Sequence, residues 1–240
     1  MLSDRRIAVV IPAYREAGLI GRTVRTVPAF VDLIVVVDDG SDDGTDRAAL
    51  AAGDDRLRVV RLERNRGVGA AIAAGYRVAR QHGAEVLAVM AGDAQMDPSE
   101  LADVLAPVVR GEADYVKGNR LRHARRGDMP WQRRLGTRVL GHATAWATGL
   151  HGLGDSQCGY TALSGKMVDR LPLHRLWPRY GYPNDLLSQL ALAGARVVEV
   201  TVRPVYAGER SGLRARHLAV IGALLARATA RRWQREHRPR

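Results

Sequence analysis

A chain of 240 residues and 26.2 kDa, 46% hydrophobic, is long enough to bury one sizeable core, so one large domain is the default. Its single cysteine, Cys158, excludes an internal disulfide and a thiolate metal cluster, suits a reducing compartment, and is expected as core filler rather than as a nucleophile. The net charge of +12 is nearly all arginine, Lys117 and Lys166 being the only lysines; it favours phosphate-bearing partners, while 5% aromatic residues offer no base-stacking platform and argue against nucleic acid.

No signal peptide fits the short apolar run that ends at Pro12. Ile7 to Ile11 reads as a strand, and Pro12-Ala13-Tyr14-Arg15-Glu16 as the loop at its carboxyl end. A helix follows, with Leu19, Ile20, Val24 and Val27 on one face until Pro28. Ile34-Val35-Val36-Val37 has the composition of a strand buried on both faces. It stops at Asp38-Asp39 and a turn-forming Gly40-Ser41, and Ser41 or Asp42 is expected to cap the helix that begins at Asp46. Open α/β sheets keep ligands at the carboxyl ends of their strands, so these acids are placed to accept hydrogen bonds from a ribose or a base N–H. A capped loop with solvated acids fits the same spacing.

Leu57 to Leu62 is the next strand, and Asn65-Arg66-Gly67-Val68-Gly69 leads into an alanine-rich helix reaching about His82. The third glycine of a dinucleotide fingerprint would fall on Ile72, so the pair Gly67 and Gly69 reads as a tight turn. Glu85 to Met90 is a further strand, and the repeated βαβα order predicts an α/β fold with a mostly parallel sheet flanked by helices. In the loop after Met90, Asp97 is the natural N-cap of a helix starting at Pro98. Asp93 and Gln95 are left over, with oxygens able to reach one hard cation, Mg²⁺ or Mn²⁺, shared with a diphosphate. Tyr14 with Glu16, Asp38 with Asp39, and Asp93 with Gln95 thus occupy three strand ends that would converge on one crevice.

Further along, Asp155 lies in a loop before the strand of Tyr160, and Asp185 lies at a helix start. Either carboxylate is a candidate base, a plain N-terminal acid being the alternative for Asp185. From Lys117 to Arg138 eight basic residues face Asp128 alone, and from Thr201 onward ten arginines face Glu209 and Glu236. Between these clusters, Leu135, Val139, Leu140, Ala143, Trp146, Ala147 and Leu150 make an apolar helical stripe. In the tail, Leu218, Ile221, Leu224, Leu225 and Trp233 are bordered by Arg214, Arg216, Arg227, Arg231 and Arg232. Arginine beside tryptophan and leucine suits an interfacial helix on an anionic membrane; packing on the domain competes evenly for the Trp131 helix, and the membrane is favoured for the tail. The apolar run Leu218 to Ala226 is well short of the roughly 20 residues of a spanning helix.

Val10-Ile11-Pro12-Ala13-Tyr14-Arg15-Glu16, Val37 to Thr45, Asn65-Arg66-Gly67, Asp93 to Pro98, Gly118-Asn119-Arg120 and Asp155 to Tyr160 stand in the order found in the family 2 glycosyltransferases of GT-A fold. Over roughly residues 7 to 213 the chain resembles that family, and within it the dolichol- and polyprenyl-phosphate sugar transferases. The resemblance implies a glycosyltransferase domain over 1–213, followed by a basic amphipathic helix or tail over 214–240. It implies a metal-dependent, inverting transfer of a sugar from a UDP- or GDP-linked donor to a polyprenyl phosphate. Pro12, Tyr14, Glu16, Val37, Asp39, Ala91 and Asp93 would line the donor nucleotide, and Asp93 with Gln95 would hold the metal. Arg120, Arg133 and Arg210 would meet the acceptor phosphate, and Asp155, Asp185, Arg120 and Arg133 are the catalytic candidates. Ala91 stands where the family often has a second aspartate, and its late Arg/Lys pair is not reproduced around Gly208 to Gly212, where Arg210 or Arg214 would substitute.

The expected location is cytoplasmic, peripheral on the inner face of the plasma membrane, with a membrane-protein partner left open. A soluble or polysaccharide hydroxyl acceptor is the alternative. A nucleotide-sugar pyrophosphorylase would need a glycine-rich basic loop that Pro12 to Glu16 lacks, and a nucleic-acid-binding domain leaves the strand-end acids unexplained.

Overall fold

The computed structural model describes residues 4–205 and 215–237. In chain order the elements are β1 (Ile7–Ala13), α1 (Ile20–Thr26), β2 (Leu33–Asp38), α2 (Thr45–Leu50), β3 (Leu57–Arg61), α3 (Val68–Gln81), β4 (Val86–Val89) and α4 (Leu101–Val109). The second half adds β5 (Tyr115–Asn119), α5 (Trp131–Thr148), β6 (Thr161–Ser164), α6 (Gly165–Arg170), α7 (Tyr182–Leu192), β7 (Val197–Thr201) and α8 (Ala215–Glu236).

The seven strands form one sheet in the order β3-β2-β1-β4-β6-β5-β7, parallel throughout except for β6, which runs against both neighbours. Strands β1 and β2 are apolar in unbroken runs because both faces are covered. Val9, Ile11, Ile34 and Val36 bury against α1, α2 and α4, while Ala8, Val10, Val35 and Val37 bury beneath α3 and α7. Strand β1 runs two residues beyond its expected end, through Pro12 opposite Val37 to Ala13 opposite Asp38.

Neither Ser41 nor Asp42 caps α2. The chain turns at Gly44 with φ 85°, and the carboxylate of Asp43 instead accepts the Thr45 N–H and hydroxyl. Ser41 and Asp42 are drawn across to Arg15, the hydroxyl accepting its backbone N–H at 2.9 Å and the carboxylate pairing with its guanidinium. Asp97 caps as expected, accepting the Ser99 N–H.

Beyond the segment 206–214, which lies outside the described residues, α8 packs on α5 and α7. Ile221, Leu224 and Ala228 make its buried face, and Arg227 and Arg231 reach Asp185 of α7. Among the described residues no helix is long and apolar enough to cross a membrane.

Candidate active site

The chain winds outward from β1 to β2 and β3, then returns to place β4 on the other side of β1. That reversal opens a crevice at the carboxyl ends of β1, β2 and β4, the usual ligand position in such sheets. Among the described residues only Arg15 (φ 59°) and Ala94 (φ 57°) are non-glycine residues with left-handed backbone, and both lie in loops bordering this crevice. Such a conformation costs about 1 kcal/mol or more and persists where surrounding contacts impose it.

One lobe of the crevice, about 240 Å³, is lined by Pro12, Tyr14, Asp39, Asn65, Gly67 and Val68, among others. The two adjacent acids divide here. Asp38 turns inward, buried, where it accepts the Ser41 N–H and lies 3.8 Å from Arg61 Nε. Asp39 turns to the lobe, its two oxygens accepting the N–H groups of Arg66 and Gly67 at 2.7 Å each. It therefore ties the loop after β3 to the end of β2. Glu16 and Val37 do not line this lobe: Val37 is packed beneath α3, and Glu16 holds the start of α1 through its carbonyl.

Gly67 and Gly69 are explained by the loop before α7 rather than by a phosphate. A Cβ on Gly69 would stand 2.3 Å from the Trp177 carbonyl oxygen, and one on Gly67 2.5 Å from that of Pro178. The Pro178 carbonyl also accepts the Gly69 and Ala70 N–H groups, and Arg179 donates to Asn65.

The second lobe brings Ala91, Asp93, Gln95, Arg120 and Arg203 together over Cys158 and Tyr160, around a space of about 90 Å³. The left-handed turn at Ala94 folds the loop so that Asp93 Oδ1 accepts the Gln95 N–H at 3.0 Å. A carboxylate and an amide oxygen are hard donors, and two protein oxygens completed by a diphosphate fit Mg²⁺ or Mn²⁺. Cys158 is buried and its thiol is pushed up by that burial, as befits core filler.

Asp155 is fully buried behind this lobe, against the Arg120 guanidinium. It accepts Arg120 Nε at 2.8 Å and Nη2 at 3.0 Å, the Arg120 N–H, and the N–H groups of Gln157 and Cys158. Burial alone would raise its pKa, but the Arg120 charge and hydrogen bonds, with Lys117 beyond, outweigh it and hold the carboxyl below its ordinary value. Such a group fixes a guanidinium and is poorly disposed to take a proton. Arg133, in the first turn of α5, lines neither lobe; burial raises the Tyr180 hydroxyl above its ordinary value, and the charges of Arg120 and Arg133 partly oppose that. Tyr180 stacks on His217 of α8, ring centroids 4.3 Å apart.

Asp185 is buried in α7, accepting the Trp177 N–H, Gln189 Nε2 and the Arg227 guanidinium. It lines neither lobe. Arg210 lies outside the described residues.

Three groups escaped sequence reading. Glu199 of β7 accepts Asn119 Nδ2 at 2.6 Å and the N–H groups of Gly154 and Asp155, clamping the Asp155 loop to the sheet. Lys117 of β5 is buried beside Asp155 and Glu199, and desolvation pulls its pKa down to about 8. Each is a charge inside a short apolar strand, a signal that does mark them. Arg203 follows β7 and lines the second lobe with its backbone N–H held by Glu100; nothing local sets it apart from the other arginines.

An acid-lined strand edge facing paired arginines across a switch-point crevice is the arrangement of a nucleotide-sugar glycosyltransferase. Residues 8–170 match Glycosyl transferase family 2, and the chain belongs to that family. Polyprenol monophosphomannose synthase of Mycolicibacterium smegmatis is 31% identical over 211 residues, covering 82% of this chain and 77% of that protein. A UDP-N-acetylglucosamine–dolichyl-phosphate N-acetylglucosaminyltransferase of Methanococcus voltae is 26% identical over 221 residues, covering 85% and 88%. In fold, the chain is similar to glucosyl-3-phosphoglycerate synthase from Mycobacterium tuberculosis, solved with Mn²⁺, UDP and phosphoglyceric acid: TM-score 0.67, 22% identity, covering 99% of this chain and 80% of that one.

Proposed function

We propose that this glycosyltransferase moves a sugar, with inversion, from a UDP- or GDP-linked donor to a polyprenyl phosphate at a membrane surface. The observation that carries this is the lining of the second lobe, where Asp93 is the one carboxylate among the described residues and Arg120 and Arg203 stand opposite. A sugar hydroxyl must lose its proton to a base as it attacks. Asp155 is engaged by five donors and Asp185 lines neither lobe, so neither is placed for that task. A phosphate acceptor is already an anion and needs only to be held and aimed, which arginines do.

In this reading Pro12, Tyr14 and Asp39 line the nucleoside, and Glu16 and Val37 support the strand ends beneath it. Asp93 and Gln95 would hold a divalent cation, Mg²⁺ or Mn²⁺, which neutralises charge on the departing diphosphate. Asp155 keeps Arg120 extended toward the phosphates, and Arg133 and Arg203 add positive charge around the acceptor. The attacking phosphate oxygen forms the new bond to the anomeric carbon as the bond to the diphosphate breaks, and no proton moves. The names of the two relatives support a polyprenyl-type acceptor. We place the protein peripherally on the cytoplasmic face, its catalytic domain ending near residue 213 and α8 serving as an appended helix.

Purified protein with Mn²⁺ and a panel of nucleotide sugars, with and without polyprenyl phosphate, tests this. Product in the organic phase that depends on the lipid is expected. Transfer to a neutral soluble acceptor at equal rate would overturn the acceptor assignment.

A further inference from the structure

Helix α5 is built inside out. Its buried residues are Thr137, Gly141, Thr144, Ala147 and Thr148, whereas Trp131, Leu135, Val139 and Trp146 face solvent, Trp146 being 71% exposed. At helical spacing those four fall within an arc of roughly 80°. The inversion has a cause in the inward face. Thr144 Oγ1 accepts Asn184 Nδ2 at 2.7 Å and donates to the Leu140 carbonyl, and a Cβ on Gly141 would stand 2.1 Å from the Gly154 oxygen. Only small and hydroxylic residues fit there, so the large apolar ones point away.

Helix α8 buries Ile221, Leu224 and Ala228 in the ordinary way, but it keeps charge off its outer face. Its arginines turn toward the domain: Arg227 and Arg231 to Asp185, Arg232 to the Trp146 carbonyl, Arg235 to the carbonyls of Ala191 and Leu192. The exposed residues from Leu218 to Ala230 carry no charge, and Trp233 follows at 60% exposure. Trp146, Ala226, Ala230 and Trp233 meet in a shallow groove of about 550 Å³, so the two stripes form one surface. A contiguous apolar face of this kind marks a docking site.

Its border selects the occupant. Arg125, Arg126 and Arg138 are exposed at the amino-terminal end of this face, beside an Arg122 that pairs with Glu199 at 3.3 Å, and Asp128 is the single acid between Lys117 and Arg138. A second copy docked about a two-fold axis would set arginine against arginine. Anionic headgroups above hydrocarbon satisfy both parts of the surface, and tryptophan suits the boundary between them.

We propose that the joined outer face of α5 and α8 lies in an anionic lipid leaflet, with Trp131, Leu135, Val139, Trp146, Leu218 and Trp233 below the headgroups and the arginines level with the phosphates. This deepens the membrane-surface reading above and rests on it. Arg133 shares the first turn of α5 with Trp131, so docking brings that arginine to the lipid plane.

The test is sedimentation of the full chain with phosphatidylglycerol–phosphatidylcholine vesicles and with phosphatidylcholine alone. Wild type is expected to bind the mixed vesicles, with a blue shift in tryptophan emission. The double substitution W146S/W233S is expected to weaken binding about tenfold or more. L50S, at an exposed apolar position on α2, should bind as wild type. Both tryptophans are exposed, so the variant should melt as wild type does; L135S/V139S on the same stripe provides a second test. Undiminished vesicle binding by both double variants overturns the proposal. So does a wild-type chain that ignores vesicles, and one eluting as a dimer that W146S/W233S splits would assign the face to a second copy. Transfer to a short-chain polyprenyl phosphate in detergent, which W146S/W233S should retain, separates the readings: wild type that binds vesicles but transfers nothing sinks the activity alone.

Discussion

Two sets of acids, one in each half of the molecule, are held in different ways. In the amino-terminal half, Asp39, Asp43, Asp93 and Asp97 accept backbone N–H groups in the loops where they sit or from the strand end alongside. In the carboxyl-terminal half, Asp155 and Asp185 are buried and meet arginines from other elements, Arg120 across 35 positions and Arg227 across 42. A carboxylate oriented by backbone N–H groups at a strand end can present an oxygen to a ligand. One held by a distant guanidinium is spent on joining elements, and what serves the ligand is the arginine it fixes.

That contrast can be broken most sharply at Asp93. Asp93→Ala should lower transfer about 10²–10³-fold with little change in thermal midpoint, since charge stabilisation at the diphosphate is lost while Asp93 lies in a loop outside the buried core. Wild-type rates in this variant would remove Asp93 from the metal site. Asp155→Ala should show the reverse balance, costing about 3 kcal/mol in urea unfolding because Arg120 loses its buried partner, with transfer lost as well. Asp185→Asn releases α8 and should cost about 1–2 kcal/mol, discounted because Arg227 is 40% exposed, while turnover in detergent survives. Collapse of turnover at an unchanged urea midpoint would instead make Asp185 the base.

An effect of similar size concerns Lys117. Its folded pKa is lowered to about 8 from 10.5, so between those values the unfolded chain holds a proton that the folded chain has released. Stability contributed at this position therefore rises with pH through that window. Relative to Lys117→Met, wild type should gain about 1–2 kcal/mol between pH 8 and about 9.5, read from paired urea titrations. A flat difference would mean that Lys117 stays charged in the fold.

What the sequence determined by itself was the local part. Unbroken apolar runs demanded a covered parallel sheet, turn residues put Asp38, Asp39, Asp93 and Gln95 at strand ends, and Pro98 with Asp97 announced its own cap. Even there, the split between a buried Asp38 and a lobe-facing Asp39 was decided by the fold, because neighbouring residues at a strand end point different ways and only the packing around them says which one is buried. Tertiary structure alone decided the rest. Asp155 and Asp185 became partners of Arg120 and Arg227, the glycines at 67 and 69 answered to the loop of Trp177 and Pro178, and α5 turned its large apolar residues outward while α8 turned its arginines inward. A helical stripe records that one face differs from the other; which face meets the protein depends on what stands opposite. Here that was Asn184, Gly154 and Asp185, polar or small groups that only folding brings there.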